Sequence, residues 1–98
     1  MGKAEAKIQS DVTIWLESIG CKVINTVALS KSGNADLIIC WKGYYVEMEI
    51  KVPGDEARPL QVVKGQWTID ADGAWFCIHS LDEAKDSMSY MKQIKGVM

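Results

Sequence analysis

The sequence predicts an α/β fold in which a mixed four-stranded sheet is flanked by helices. Apolar residues recur at helical spacing in the first 19 positions, whereas residues 36–41 and 74–79 form apolar runs of strand length. A Lys42-Gly43 turn joins the first run to an alternating segment at 44–52, which is the pattern of a hairpin. Strands before and after a helical crossover imply a mixed sheet. We expect residues 1–98 to form one domain with one core.

The first helix is predicted from Lys3 to about Ser18, with Gly20 ending it. Its apolar stripe consists of Ile8, Val12, Trp15, Leu16 and Ile19. Glu5 falls within the arc of this stripe at about 100° per residue. An unpartnered carboxylate on the core side is unfavourable. Glu5 therefore either meets a metal ion or polar site, or frays with the N-terminal turn, where the helix dipole favours it.

The first three strands are expected at residues 22–27, 36–41 and 44–52, with a loop at residues 30–34. The continuous apolar run after Asp36 is typical of a strand that is covered on both faces. Side chains alternate along the third strand. One of its faces carries Val46, Met48 and Ile50, and the other carries Tyr45, Glu47, Glu49 and Lys51.

The second half of the chain contains two helices and one strand. Pro59 suits the first position of a helix that runs to about Asp70 before Gly73. Residues 74–79 are predicted to form a buried strand. Ser80 and Glu83 match a capping box, so the last helix is predicted to start there and to reach about residue 94.

Three residues suggest a catalytic site. Counted outward from the turn, Asp36 pairs close to Glu49, and Glu49 and Lys51 project from the same strand face. Two carboxylates bind a hard cation such as Mg²⁺, and a lysine can steady water or phosphate. This set suits metal-assisted phosphodiester hydrolysis. Taken alone, Asp36 is better explained as a loop residue that caps or turns the chain. Glu49 with Lys51 is explained equally well as a pair on an exposed strand edge.

Composition narrows the class of protein. A net charge of −2 argues against a protein that merely coats nucleic acid, but a nuclease escapes this objection because its metal ion brings positive charge. No apolar run approaches the roughly 20 residues of a membrane span, and we expect no membrane partner. Cys21, Cys40 and Cys77 lack paired CxxC spacing, and we expect Cys40 and Cys77 to be small buried residues in a reducing compartment.

The spacing of these acidic residues resembles a known motif. Gly33-Asn34-Ala35-Asp36, then twelve residues, then Glu49-Ile50-Lys51, resembles the PD-(D/E)xK nuclease motif. Ala35 stands where that motif has proline, a residue that shapes the backbone rather than taking part in chemistry.

The whole chain resembles, more narrowly, the VRR-NUC family, a stand-alone branch related to Holliday-junction resolvases. Glu5-x-x-x-Gln9 is similar to the family's first motif, and residues 49–54 to its E-x-K-x-P-G strand end. Pro59-Leu60-Gln61, followed by a helix and Gly73-Ala74, is similar to its fourth motif. The resemblance implies a restriction-endonuclease-like core.

The resemblance also implies a metal centre. Asp36 and Glu49 would ligate Mg²⁺ or Mn²⁺, with the Ile50 carbonyl as a further ligand, and Glu5 would complete the site directly or through water. Lys51 would position or activate the attacking water.

Gln61 would hydrogen-bond near Lys51 and hold it in place. Among the basic residues, Lys31, Arg58 and Lys64 are candidate phosphate contacts. For each taken singly, a solvated surface cation is a strong alternative, and Lys31 and Arg58 are the best candidates because they lie in loops beside the proposed site. Members of this size are implied to act as homodimers on branched DNA, such as four-way junctions, in the cytoplasm of a bacterial or phage-infected cell. Two alternatives stay open: a catalytically inactive DNA-binding module with this fold, and a nuclease of other specificity, such as a flap or nicking enzyme.

Overall fold

The computed structural model describes residues 2–26 and 33–96. Three helices and four strands follow one another in the predicted order. They are α1 (Lys3–Ser18), β1 (Lys22–Asn25), β2 (Leu37–Trp41), β3 (Tyr44–Ile50), α2 (Pro59–Asp70), β4 (Ala74–Ile78) and α3 (Leu81–Lys95). The predicted residue Val27, most of the predicted loop at 30–34 and the candidate phosphate contact Lys31 lie outside the described residues.

The four strands form one mixed sheet in the order β1-β2-β3-β4. The first three strands are antiparallel neighbours, and β4 is parallel to β3. Leu37 is paired with Met48, so the next positions outward along the ladder are Asp36 and Glu49. The predicted α/β fold with a mixed sheet is confirmed, and the hairpin register is the one counted from the turn.

One face of the sheet packs against α1 and α3 to form the main core. The buried β3 side chains Val46, Met48 and Ile50 point into it, as their alternation predicts. The other core side chains are Val12 and Leu16 of α1, Cys21, Leu37, Ile39 and Trp41 next to or within the first strands, Ile78 of β4, and Ala84, Met88 and Met91 of α3.

The opposite face of the sheet is covered in part by α2. Gly65 is the position of closest approach, because a Cβ atom there would lie 2.4 Å from the Trp75 ring on β4. Gln61, one turn earlier, is also buried. This face of the sheet carries Glu47 and Glu49, so α2 lies over the acidic positions of β3.

The structure corrects the expected burial of β2 and β4. Along β2 the side chains alternate, with Leu37 and Ile39 buried, Ile38 half-buried and Cys40 exposed. The β4 residues before Ile78 are half-buried, Cys77 among them. The apolar run in each strand predicted burial on both faces. The 12-residue helix α2 is too short to cover the whole outer face of the sheet.

The ends of the elements follow local chemistry. Pro59 occupies the first turn of α2, as predicted. Ser80 caps α3, with its hydroxyl oxygen accepting from the Glu83 N–H at 3.1 Å. Gly96 ends α3 in a left-handed conformation. No helix within the described parts of the chain is both long and apolar enough to cross a membrane.

Candidate functional site

Asp36 is held at the entrance to β2 by the backbone on either side of it. Its Oδ2 accepts a hydrogen bond from the Ile50 N–H at 2.8 Å. Asp36 lies one residue before β2 begins. Its carboxylate therefore accepts the Ile50 N–H, which a backbone carbonyl would accept within the sheet. On the other side, the Thr26 N–H donates to the Asp36 carbonyl at 3.0 Å, and the Thr26 hydroxyl donates to the Ala35 carbonyl. The carboxylate is thereby fixed beside the end of β3.

Glu49 is a buried carboxyl group, with 2 % of its surface exposed. Its Oε2 accepts from the Gln61 amide at 3.0 Å, whereas its Oε1 is buried and has no hydrogen-bond partner among the described residues. Burial first, then the charge of Asp36 and a hydrogen bond between the two carboxyl groups, together raise the pKa of Glu49 to about 8, against an opposing effect of Lys51. Two carboxyl groups therefore face each other in a poorly solvated place.

Lys51 follows β3 on the same face as Glu49. Its Nζ lies 3.6 Å from Glu49 Oε2, and 14 % of its side chain is exposed. The Lys51 N–H donates to the Ile78 carbonyl at 2.9 Å, so the backbone continues alongside β4 after β3 ends. This bond fixes the backbone from which the Lys51 side chain projects.

Gln61 links the start of α2 to Glu49. Its Oε1 accepts from the Arg58 N–H at 2.7 Å, which satisfies a free donor at the helix N-terminus. Its Nε2 donates to the Glu49 oxygen that also faces Lys51. The sequence placed Gln61 near Lys51, and the structure shows that the direct partner of its amide is Glu49.

Glu5 is half-buried near the start of α1. It makes no hydrogen bond or ion pair with Asp36 or Glu49 in the structure, and α1 packs on the core side of the sheet. The four residues Asp36, Glu49, Lys51 and Gln61 are thus brought together, and Glu5 is not joined to them directly.

Two clefts open on the face that carries α2. The larger, of about 730 Å³, is lined by Lys64, Trp67 and Glu47 among others. The smaller, of about 210 Å³, includes Arg58 and Gln61. Both clefts reach Gly33, and they meet beside the segment that leads to Asp36. Asp36 and Glu49 line neither cleft.

Both carboxylate oxygens of Glu47 are hydrogen-bonded within the protein. Its two oxygens accept hydrogen bonds from the Tyr45 hydroxyl and from Thr68 Oγ1, the latter at 2.8 Å. Burial and the neighbouring Glu47 raise the pKa of Tyr45 to about 12. Because both oxygens already have donors, Glu47 is not placed as a free metal ligand.

Sequence reasoning missed the places of Thr26 and Cys77, and it named Gln9 only as part of a motif. Thr26 fixes the backbone at Asp36, and the sequence showed it only as a β-branched strand residue. Gln9 is buried, and its Oε1 has no hydrogen-bond partner within the described residues; its place four residues after Glu5 was the available signal. Cys77 is paired in register with Glu49, so it lies on the face of the site.

The residues present fit a divalent cation. Asp36 and Glu49 supply hard oxygen donors, and the unpartnered Glu49 Oε1 would gain a partner on binding. A cation between the two carboxyl groups would also remove the repulsion that raises the pKa of Glu49. The structure thus provides an oxygen-rich position whose chemistry favours Mg²⁺ or Mn²⁺ over a soft ion.

The order of elements and the acidic hairpin end define an α/β fold of the restriction-endonuclease-like type. A structure described as a VRR_NUC domain superposes with a TM-score of 0.79 at 18% sequence identity, covering 90% of this chain and 97% of that chain. A second, described as a VRR_NUC domain protein, has a TM-score of 0.66 at 20% identity and covers 95% and 88%. No protein-family model and no curated protein matches the sequence. The chain therefore has the fold of VRR_NUC domains, as its motifs predicted.

Proposed function

We propose that this protein is a VRR-NUC nuclease that hydrolyses DNA phosphodiester bonds with the help of a divalent metal ion. The observation that carries the proposal is the opposition of Asp36 and the buried Glu49, whose Oε1 is unpartnered among the described residues. This arrangement is costly without a cation. The similarity of the fold to VRR_NUC domains supports the same assignment.

Asp36 and Glu49 would hold Mg²⁺ or Mn²⁺. Within a strand, the N–H and C=O of one residue point to the same side, so the Ile50 carbonyl is expected to face Asp36, which its N–H already contacts. That carbonyl is our third proposed ligand. Glu5 would contribute through water, because it has no direct contact with the other acidic residues. When bound, the metal would lower the pKa of an attacking water and polarise the phosphoryl oxygen.

Lys51 acts on the water or phosphate beside the metal, and Gln61 acts on the Glu49 carboxylate. The Lys51 ammonium, close to Glu49 and partly open to solvent, orients the attacking water or a phosphate oxygen. The Gln61 amide keeps one Glu49 oxygen turned toward Lys51 and leaves the other for the metal. Arg58 and Lys64, which line the two clefts, would contact the DNA backbone, as would Lys31.

The substrate and assembly are proposed from the resemblance. Branched DNA, such as a four-way junction, is the expected substrate, and a homodimer would present two active sites to its paired strands. Analytical ultracentrifugation over a range of concentrations tests the dimer, and a monomer at every concentration would refute it. A bacterial or phage-infected cell is the proposed setting.

Cleavage assays test the activity. Wild-type protein is incubated with linear, flap and four-way DNA in Mg²⁺, Mn²⁺ or chelator, next to Asp36→Ala, Glu49→Ala and Lys51→Ala. We expect metal-dependent cleavage, fastest on four-way DNA, and losses of at least about a hundredfold in the variants, because even the outer partners of metal sites account for about 10–100-fold. Variants that fold normally and cleave as fast as wild type would refute the proposed site.

The alternative of an inactive DNA-binding module has a separate signature. Such a protein would bind branched DNA, but it would release no heat on titration with Mn²⁺ and would be unaffected by Asp36→Ala. Faster cleavage of flap or nicked DNA than of four-way DNA would instead support a nuclease of other specificity.

A further inference from the structure

A second cluster of metal-ligating side chains lies outside the carboxylate pair, where β4 meets the loop before α2. Glu56, Cys77 and His79 each offer one ligand atom, and these atoms lie within 4.8 Å of one another. The set combines a thiol, an imidazole and a carboxylate, which is the chemistry of a zinc site rather than a magnesium site.

The loop before α2, at residues 53–58, lies against this cluster. The Asp55 carbonyl lies 2.7 Å from His79 Nε2, and the Glu56 carboxylate lies 4.0 Å from the same atom. Burial raises the pKa of the Cys77 thiol, and the backbone N–H of Ala57 partly offsets that effect. Residues 55–57 thus lie beside Cys77 and His79.

Both ring nitrogens of His79 face hydrogen-bond acceptors. Nδ1 lies 2.8 Å from a Glu83 carboxylate oxygen, and Nε2 faces the Asp55 carbonyl, so both ring nitrogens meet acceptors. A neutral imidazole has only one N–H. With Nδ1–H donating to Glu83, Nε2 carries a second proton, which it donates to the Asp55 carbonyl at 2.7 Å. A metal ion on Nε2 would replace this proton, and the Asp55 carbonyl would move aside. A carboxylate on the far nitrogen is also the usual partner of a metal-bound histidine.

We propose that Cys77, His79 and Glu56 form a Zn²⁺ site that fastens the loop at residues 53–58 to the end of β4. His79 Nε2, the Cys77 thiolate and a Glu56 oxygen are the ligands, a fourth position is left to water, and Glu83 orients the ring. Ligand atoms of tetrahedral zinc are about 3.5 Å apart, so the cluster closes by about 1 Å. The Glu56 side chain, 82% exposed, provides the movement.

Zinc at this place would also support the neighbouring carboxylate site. The loop ends at Arg58, whose N–H holds the Gln61 amide that contacts Glu49. Cys77 and Glu49 are paired in register on neighbouring strands. The sequence showed no zinc spacing, because the third ligand comes from a different element and Cys77 and His79 are separated by only one residue.

The test uses the full chain, stripped of metal and kept reduced, and titrated with Co²⁺ as a spectroscopic probe for Zn²⁺. We expect thiolate-to-cobalt absorption in the near ultraviolet that saturates at one Co²⁺ per thiolate site and is removed by Zn²⁺. Cys77→Ser should abolish the band, His79→Asn should weaken Co²⁺ binding at least about tenfold, and Glu83→Gln should weaken it by about 10–100-fold. The matched control Cys40→Ser, at an exposed thiol on β2, should leave the band unchanged.

Circular dichroism of each metal-free variant shows whether it is folded. Asp36→Ala separates this inference from the proposed nuclease activity, because it should keep the cobalt band while losing the hard-metal site. The zinc site is refuted if wild type gives no thiolate band, if Cys77→Ser keeps the band, or if Cys40→Ser removes it. None of these outcomes depends on DNA cleavage.

Discussion

Glu49 illustrates how a single residue links the site to the stability of the fold. Its pKa of about 8 in the folded chain lies above the ordinary value of 4.5, chiefly because the group is buried and then because Asp36 is nearby. A group that stays protonated to higher pH in the folded state than in the unfolded state contributes most to stability at low pH. The stability contributed by this proton is present below pH 4.5 and is lost as pH rises through about 8.

We therefore predict that the free energy of unfolding of metal-free wild type falls between about pH 5 and 8, and that Glu49→Gln makes this dependence shallower. Urea unfolding in chelator at several pH values measures it. Glu17→Gln, at an exposed residue of α1, is the control and should keep the wild-type slope. Added Mg²⁺ should stabilise wild type most at high pH. Equal slopes in wild type and Glu49→Gln would contradict the pKa assigned to Glu49.

Gln61 is predicted to act by positioning Glu49. Gln61→Leu keeps the approximate volume of the buried side chain but removes the amide that donates to Glu49 Oε2. We expect Mg²⁺ affinity and cleavage rate to fall by about 10–100-fold, as for other residues that orient metal ligands. Isothermal titration with Mg²⁺ and single-turnover cleavage measure the two effects.

Gln66→Leu is the matched control for this substitution, because Gln66 is an exposed amide on the same helix and donates to Asp70 rather than to the site. It should keep wild-type affinity and rate. If Gln61→Leu also bound Mg²⁺ as wild type does, Gln61 would have only its second role, the bond to the Arg58 N–H that begins α2.

At the level of elements, α2 connects the outer face of the sheet to the site. Gln61 contacts Glu49, Gly65 packs on Trp75, and Thr68 contacts Glu47, so one face of the helix follows the sheet. The helix can lie this close only because residue 65 has no side chain. Its distance from the sheet therefore sets the position of the Gln61 amide.

Gly65→Ala is predicted to destabilise the fold, although alanine favours a helix over glycine by about 1 kcal/mol. Its Cβ would lie 2.4–2.7 Å from three atoms of the Trp75 ring, and overpacking costs about 1–3 kcal/mol. Denaturant unfolding should show a net loss, and Mg²⁺ affinity should fall as Gln61 shifts. The double variant Gly65→Ala with Trp75→Leu should recover part of the loss. A Gly65→Ala protein more stable than wild type would contradict the close packing.

The sequence predicted the elements well because local signals define them. Pro59, Ser80 and the Lys42-Gly43 turn each fix an element boundary, and the hairpin register brought Asp36 to Glu49. What it missed depends on contacts between elements. The apolar run of β2 did not reveal that Cys40 would be exposed, because no local pattern shows how far α2 extends across the sheet. The pairing of Cys77 with Glu49 likewise depends on the register between β3 and β4.

At the scale of the whole molecule, charge limits where DNA can bind. The net charge is −2, so the surface as a whole does not attract a polyanion. Arg58 and Lys64 are placed differently, because they line clefts that meet at Gly33 next to Asp36. Lys92 lies on α3, which packs against the opposite face of the sheet. Phosphate contacts should therefore be concentrated on the α2 side of the molecule.

We predict that Arg58→Ala and Lys64→Ala each weaken binding to branched DNA and each reduce the slope of log affinity against log salt by about 0.9. Fluorescence anisotropy measures both quantities, in a Lys51→Met background so that cleavage does not remove the substrate. Lys92→Ala should leave affinity and slope unchanged. If it lowered the slope as much as the other two, binding would depend on total charge rather than on the clefts. The phosphate backbone would then not follow α2 toward Asp36 and Glu49.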